Sequence, residues 1–180
     1  MATPQEIRSI RLKNDYKEMC NIRGSIIQWR AVKGTPPVVE AYEITVNIKS
    51  IISQRPDYRD QHLIRIDVPS NYPTSPPSIV MVSDPVVFHP NWYRDKRWCS
   101  GTFWDMSEGL GHFVIRMIRT LQYDPNITNA GSAANSDANN WYIANRHRNL
   151  FPCDQQTLPD PMNTKKFEIQ NPTKKKFDIQ

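Results

Sequence analysis

Leu12, Tyr16, Met19 and Cys20 are spaced i, i+4, i+7 and i+8. That spacing predicts an amphipathic first helix over residues 7–22. Its other face carries Arg8, Arg11, Lys13 and Lys17, which suits either a solvated helix surface or a docking site for an acidic partner. The period then changes to two. Residues 25–32, 41–48, 62–68 and 79–82 read as strands, most clearly where Tyr42, Ile44, Val46 and Ile48 alternate with polar neighbours. Gly34-Thr35-Pro36-Pro37, and Asn71-Tyr72-Pro73 through Pro76-Pro77, cannot continue a central strand. Four strands in series therefore predict an antiparallel meander ending near Val82.

After Pro85 the pattern is irregular for about 25 residues, longer than an ordinary connection, and long ordered loops usually exist for function. Helical spacing returns at Phe113, Val114, Met117, Ile118 and Leu121, and again over Ala138, Trp141, Tyr142 and Asn145, with the turn Asp124-Pro125-Asn126 between them. Beyond Pro152 the composition shifts to Pro, Gln, Asp and Lys, and the repeat KKFEIQ…KKFDIQ is too short to bury a core. The expected organisation is an α+β domain over 1–152 and a basic C-terminal tail over 153–180. The tail reads as disordered, or as a short strand that pairs with a partner's sheet edge through residues 167–169 or 177–179.

Charge adds little to this picture. The net charge is +5, but residues 165–180 hold five lysines against Glu168 and Asp178 and so carry +3 of it. The remainder is ordinary, and no arginine–aromatic interleaving of the kind that binds single strands is present, so no nucleic-acid partner is expected. No run of about 18 apolar residues appears, and the N-terminus lacks the apolar stretch of a secretory signal. No membrane partner and a cytoplasmic home are the expectation. Cys20, Cys99 and Cys153 are widely spaced with no Cys-x-x-Cys pair, which argues against both a disulfide framework and a zinc site. Neither metal nor cofactor is expected.

One cysteine stands out. Cys99 lies in the long loop, eight residues after His89-Pro90-Asn91 and near Arg94, Lys96 and Arg97, positive charges that would favour a thiolate. Cys20, on a helix face, reads as a buried inert thiol, and Cys153 as a partly exposed one without a motif.

His-Pro-Asn followed eight residues later by cysteine resembles the active-site signature of ubiquitin-conjugating enzymes. Tyr72-Pro73-x-x-Pro76-Pro77 and Leu121-x-x-Asp124-Pro125-Asn126 resemble further segments of that family in the same order, and the joint match covers roughly residues 5–150. Trp98-Cys99-Ser100-Gly101-x-x-Trp104 is more similar to the bacterial branch, whose members resemble components of conjugation operons implicated in antiphage defence.

The resemblance implies an N-terminal helix, a four-stranded meander, an active-site loop and C-terminal helices. It implies that Cys99 carries a ubiquitin-like protein as a thioester and passes it to an amine on a protein substrate. Asn91 would donate a hydrogen bond to the developing oxyanion or brace the loop, and His89 would hold the loop rather than act as a base. An acid near the attacking amine would be Asp137, Asp124 or Asp105, with Asp137 the preferred candidate. Arg8, Arg11 and Lys13 would dock the activating enzyme. Two rivals remain: a non-catalytic module of the same fold that binds ubiquitin-like proteins, and a cysteine hydrolase pairing Cys99 with His89, His112 or His147.

Overall fold

The computed structural model describes residues 3–101 and 103–164. Helix α1, Pro4–Ile22, begins earlier than its apolar spacing indicates because its start is capped. The Thr3 hydroxyl accepts from the Glu6 amide at 3.2 Å, and the Glu6 carboxylate accepts from the Thr3 amide at 2.7 Å. This reciprocal pair satisfies two otherwise orphaned donors, and Pro4 needs no partner for an amide hydrogen it lacks. The buried stripe is Leu12, Asp15, Met19 and Ile22. It is rotated from the expected one. A carboxylate sits inside it, and Cys20, expected to be buried, is exposed.

The meander is built of β1 (Ile27–Thr35), β2 (Val38–Val46), β5 (His62–Asp67) and β6 (Ser78–Met81), antiparallel in the order β1-β2-β5-β6. Two strands of two residues each, β3 (Ser50–Ile51) and β4 (Tyr58–Arg59), form a separate ladder between β2 and β5. They are too short to show a period. Register explains the core face, since Trp29 pairs with Ile44, Ile44 with Ile64, and Ile64 with Met81, and all four are buried. At the β1–β2 turn Gly34 has φ +85°, and an added Cβ would fall 2.4 Å from the Val38 carbonyl oxygen, so the turn requires glycine.

Helix α2 (Leu110–Leu121) buries Phe113, Val114, Met117, Ile118 and Leu121 in the same core as the sheet and the inner face of α1. Helix α3 (Ser136–Asn145) contributes Tyr142 to a satellite cluster with Ile51 and Tyr123. Residues 153–164 run back across the domain. The Cys153 amide donates to Gln122 O at 2.8 Å, the Lys49 amide to Asp154 Oδ2 at 2.9 Å, and Asn21 Nδ2 to Pro161 O at 2.7 Å. The repeated KKF(E/D)IQ segments lie outside the described residues. No helix among the described residues is long and apolar enough to cross a membrane.

Asp15 joins three parts of this architecture. Its carboxylate, 1% exposed, accepts from Tyr72 Oη at 2.7 Å, from the Leu110 amide at 2.9 Å and from Arg11 Nε at 3.0 Å. Burial holds this carboxyl above the usual carboxylate range, outweighing Tyr72, the Leu110 amide and Arg11, which pull it down. Leu110 is the first residue of α2, whose N-cap is Gly109 with no side chain to offer, so Asp15 caps α2 from another helix.

An amide in place of this carboxylate has a single acceptor oxygen for three donors. Asp15→Asn is therefore expected to cost about 2–4 kcal/mol, which lowers Tm by on the order of 10 °C for a domain of this size. Tyr72→Phe is expected to cost about 1 kcal/mol. Thermal melts read both, and an Asp15→Asn protein melting with the wild type would contradict the assignment.

Candidate active site

The eight-residue interval between Asn91 and Cys99 is the register of a small hairpin. The Cys99 amide donates to Asn91 O at 2.8 Å, Trp92 bridges Trp98, and the Tyr93 amide donates to Arg97 O at 2.9 Å. Arg94, Asp95 and Lys96 make the turn, with Lys96 at φ +74°. Each strand of the hairpin is pinned by a tryptophan. Trp92 is fully buried and donates from Nε1 to Thr120 Oγ1 at 3.0 Å, while Trp98 meets Phe113 of α2 edge-on at 5.0 Å. Cys99 follows directly and is partly exposed.

Asn91 is held on both sides. Its Nδ2 donates to Cys99 O at 3.3 Å, and its Oδ1 accepts from the Asn129 amide at 3.0 Å. The amide has two N–H donors, and among the described residues one is spent. Gly101, at φ +72°, lies so close that an added Cβ would be 3.2 Å from both Asn91 Nδ2 and Asn129 Nδ2. Asn129 Nδ2 also reaches Gly101 O at 3.3 Å, so the loop after α2 latches onto both ends of the cysteine segment. Pro90 O completes the clasp by accepting from the Ala134 and Asn135 amides at 2.8 and 3.1 Å.

His89 is fully buried, with its ring 4.2 Å from that of Tyr123. Nδ1 accepts from the Asn91 amide at 2.9 Å, which leaves the proton on Nε2, facing Thr128 Oγ1 at 3.4 Å. Burial lowers its pKa to about 3. A neutral imidazole whose lone pair is already used by a backbone amide is a strut for Asn91.

The charges near Cys99 are arranged otherwise than the sequence implied. Arg94 pairs with Asp137, Lys96 with Asp84 at 2.8 Å and Arg97 with Asp95 at 2.7 Å, so each of the three cations expected to favour a thiolate has its own carboxylate. Asp137 lies in the first turn of α3 and is exposed. Asp124 is paired with Arg119 at 2.7 Å, and Asp105 accepts from Ser107 at the turn before α2. A cleft of about 300 Å³ beside the cysteine runs between Trp98, Ser100 and Gly101 on one wall and residues 126–129 on the other, with Arg116 behind it. Among the described residues no carboxylate lines it.

Sequence reasoning missed Tyr93. Its phenol is pushed up, above all by the neighbouring Cys99. Its place in the hairpin, two residues after Asn91, was the available signal. Of the proposed docking residues, Arg8 is tied to Glu40 at 2.7 Å and to Pro69 O at 3.1 Å, and Arg11 is tied to Asp15 and Glu108 O. Lys13 is exposed. Cys153 has its Sγ 3.2 Å from Lys49 O, and burial raises its pKa to about 12. It is an inert thiol.

A second buried histidine, His62, is lowered to about 4 by burial and by the adjacent Arg59. Both histidines are neutral when folded and titrate near 6.5 when unfolded. The unfolded chain therefore binds more protons below that value, and stability is full above it and falls as pH drops toward the folded values. Each histidine is expected to remove about 1.4 kcal/mol per pH unit between roughly 6.5 and its folded pKa. Urea melts between pH 7 and pH 5 read the slope, and His62→Gln should flatten it by half. A stability that is level over this range would contradict the neutral, buried assignment.

No family model matches the chain, and no curated protein matches its sequence. Solved structures do match. Human ubiquitin-conjugating enzyme E2 G1 aligns at 16% identity over 67% of this chain and 98% of its own, with a TM-score of 0.49. S. cerevisiae Ubc12 aligns at 17% identity over 76% of this chain and 71% of its own, with a TM-score of 0.56. At such identity the likeness is one of architecture: the chain has the α+β, E2-like fold, with its N-terminal helix, four-stranded antiparallel sheet and C-terminal helices.

Proposed function

We propose that this chain is a conjugating-type transferase that carries a ubiquitin-like protein on Cys99 and delivers it to an amine of a protein substrate. The observation that carries this reading is the hairpin register that sets the Asn91 amide against a partly exposed Cys99. In the first step the Cys99 thiolate attacks the activated C-terminal carbonyl held by an activating enzyme. A new C–S bond forms to Cys99, the C–S bond to the activating enzyme's own cysteine breaks, and that sulfur leaves as thiolate. In the second step an amine attacks the thioester, negative charge builds on the carbonyl oxygen, the C–N bond forms, and Cys99 leaves as thiolate while the nitrogen loses a proton.

Asn91 has the second N–H of its amide to offer that oxygen. The cleft between Trp98, Ser100 and Gly101 and residues 126–129, with Arg116 behind it, suits an extended, small-residue C-terminal tail. Asp137 keeps its assigned role because its exposed ion pair with Arg94 is a cheap one to exchange, which leaves the carboxylate open to orient an incoming amine and take its proton. Lys13 on α1 supplies the exposed part of the activating-enzyme surface, while Arg8 and Arg11 set the helix that presents it. The resemblance of the Trp98–Trp104 segment to the bacterial branch supports an antiphage operon as the proposed setting.

A hydrolase reading is disfavoured by the histidines. His89 is buried with its lone pair in use, His112 faces Glu18, and His147 is exposed with no hydrogen bond to Cys99 among the described residues. The binding-module reading leaves the braced, accessible thiol without a purpose.

The test is to supply a cognate activating enzyme, ATP and ubiquitin-like protein and to follow adducts on reducing and non-reducing gels. Wild type should form a reductant-sensitive adduct, and Cys99→Ser should form a reductant-stable ester or none. Absence of any adduct with partners shown to be active would favour the binding module. Asn91→Ala should load at near wild-type rate but discharge to amines about 10²–10³-fold more slowly. Equal loss of both steps would assign Asn91 to loop bracing alone.

A further inference from the structure

Asn91 has a neighbour of the same chemistry. Asn129, in the loop after α2, is half-buried and lines the cleft beside the cysteine together with Gly101. The orientation of its side chain is fixed by a backbone donor, since Oδ1 accepts from the Ser132 amide at 3.2 Å and the amino end of a carboxamide cannot take that place. Asn91 is fixed in the same way, because its Oδ1 accepts from the Asn129 amide at 3.0 Å. Both amino ends are therefore turned toward residue 101.

There they converge. The place that a Cβ would take on Gly101 is 3.2 Å from Asn91 Nδ2 and 3.2 Å from Asn129 Nδ2, and an acceptor above this α-carbon is within reach of both. Glycine keeps the place empty, and its φ of +72° is one that glycine adopts without strain. Each carboxamide carries two N–H donors. Among the described residues Asn91 spends one on Cys99 O and Asn129 spends one on Gly101 O, both at 3.3 Å, so each has a second to give. Among the described residues no carboxylate lines the cleft to compete for them.

We propose that Asn129 is a second catalytic residue, which donates together with Asn91 to the thioester carbonyl oxygen of an acyl group on Cys99, lying in the space that Gly101 leaves open. The inference rests on the transferase reading for the natural acyl group, although its test does not. As an amine attacks, negative charge grows on that oxygen, and two neutral donors already held in place share it without having to reorganise. Asn91 is anchored from the hairpin and Asn129 from the loop after α2, so closure of that loop on the hairpin is what completes the pair.

The full chain is acetylated on its thiols by exchange with S-phenyl thioacetate, with thiophenolate as the leaving group, and hydroxylamine is then added. The hydroxylamine nitrogen attacks the acetyl carbon, a C–N bond forms, the C–S bond breaks, the cysteine leaves as thiolate, the nitrogen gives a proton to water, and acetohydroxamic acid is released. Mass spectrometry follows loss of the acetyl group from the Cys99 peptide, and the exposed Cys20, remote from the cleft, is the reference within each molecule. Asn129→Ala should slow loss from Cys99 relative to Cys20 about tenfold, less than the 10²–10³ of a sole donor because Asn91 remains. Asn129→Asp should slow it as much, although it keeps an acceptor for the Ser132 amide. Wild-type rates in the Asp variant would overturn the proposal by making Asn129 a brace for its loop, and so would wild-type rates in the Ala variant. Failure of the transferase reading is separate: no adduct would form with active conjugation partners, while the acetyl rates of the variants would still differ from wild type.

Discussion

A carboxylate buried in a protein core must be matched by donors, because an unpaired buried charge costs several kcal/mol. Asp15 is such a carboxylate, and its donors come from Tyr72 in the loop before β6, from the first amide of α2 and from Arg11 one helical turn away. The requirement fixes three elements at once. It holds α1 against α2, seats the Tyr72-Pro73 segment, and closes the end of α2 that has no cap of its own. Trp104 extends the same seam by donating from Nε1 to Pro73 O at 2.6 Å while packing edge-on against Phe113 at 5.2 Å. The chain between Cys99 and α2 is thus strung between two fixed points, Trp98 on Phe113 and Trp104 on Pro73.

The cysteine loop has little regular structure, yet its geometry is dictated by pairing. Because the strands of the hairpin are antiparallel, fixing Trp92 opposite Trp98 places Asn91 opposite Cys99. Insertion or deletion of one residue in the 94–96 turn would move the thiol off the asparagine and turn alternate side chains to the other face. The loop after α2 reads this hairpin through backbone groups, with Asn129 on Asn91 and Ala134 and Asn135 on Pro90.

Much of this was legible in the sequence. Alternation at Tyr42, Ile44, Val46 and Ile48 located β2 and the segment after it, and the apolar spacing from Phe113 to Leu121 located α2, because in both cases one face is buried and the other is not. Asp15 was not legible. A charged residue in a helix reads as solvent-facing unless its partners are known, and here they lie 57 and 95 positions away in the chain. The same blindness turned Arg8 and Arg11 into a free basic face, although their heads are bound to Glu40, Asp15 and backbone carbonyls. It also set the apolar stripe of α1 one step off, with Cys20 inside rather than out. The spacing from Asn91 to Cys99 was visible, but its cause was not, because a hairpin of paired tryptophans leaves no period-two run long enough to read.

On the proposed reading, a thiol that exchanges acyl groups with large partners would have to stand at the surface, whereas the amide acting on its thioester would have to stay in place. The structure separates these demands by depth. Beneath the surface, Asn91 is 3% exposed and is supported by a histidine that burial keeps neutral. Neutrality matters, since an imidazolium would carry a proton on Nδ1 and push away the Asn91 amide that now donates to it. At the surface, Arg94, Lys96 and Arg97 are held only by exposed ion pairs with Asp137, Asp84 and Asp95, and such pairs exchange at little cost. The positioning of Asn91 is therefore built from buried neutral hydrogen bonds that resist change, and the charges around the thiol from contacts that an arriving partner can rearrange.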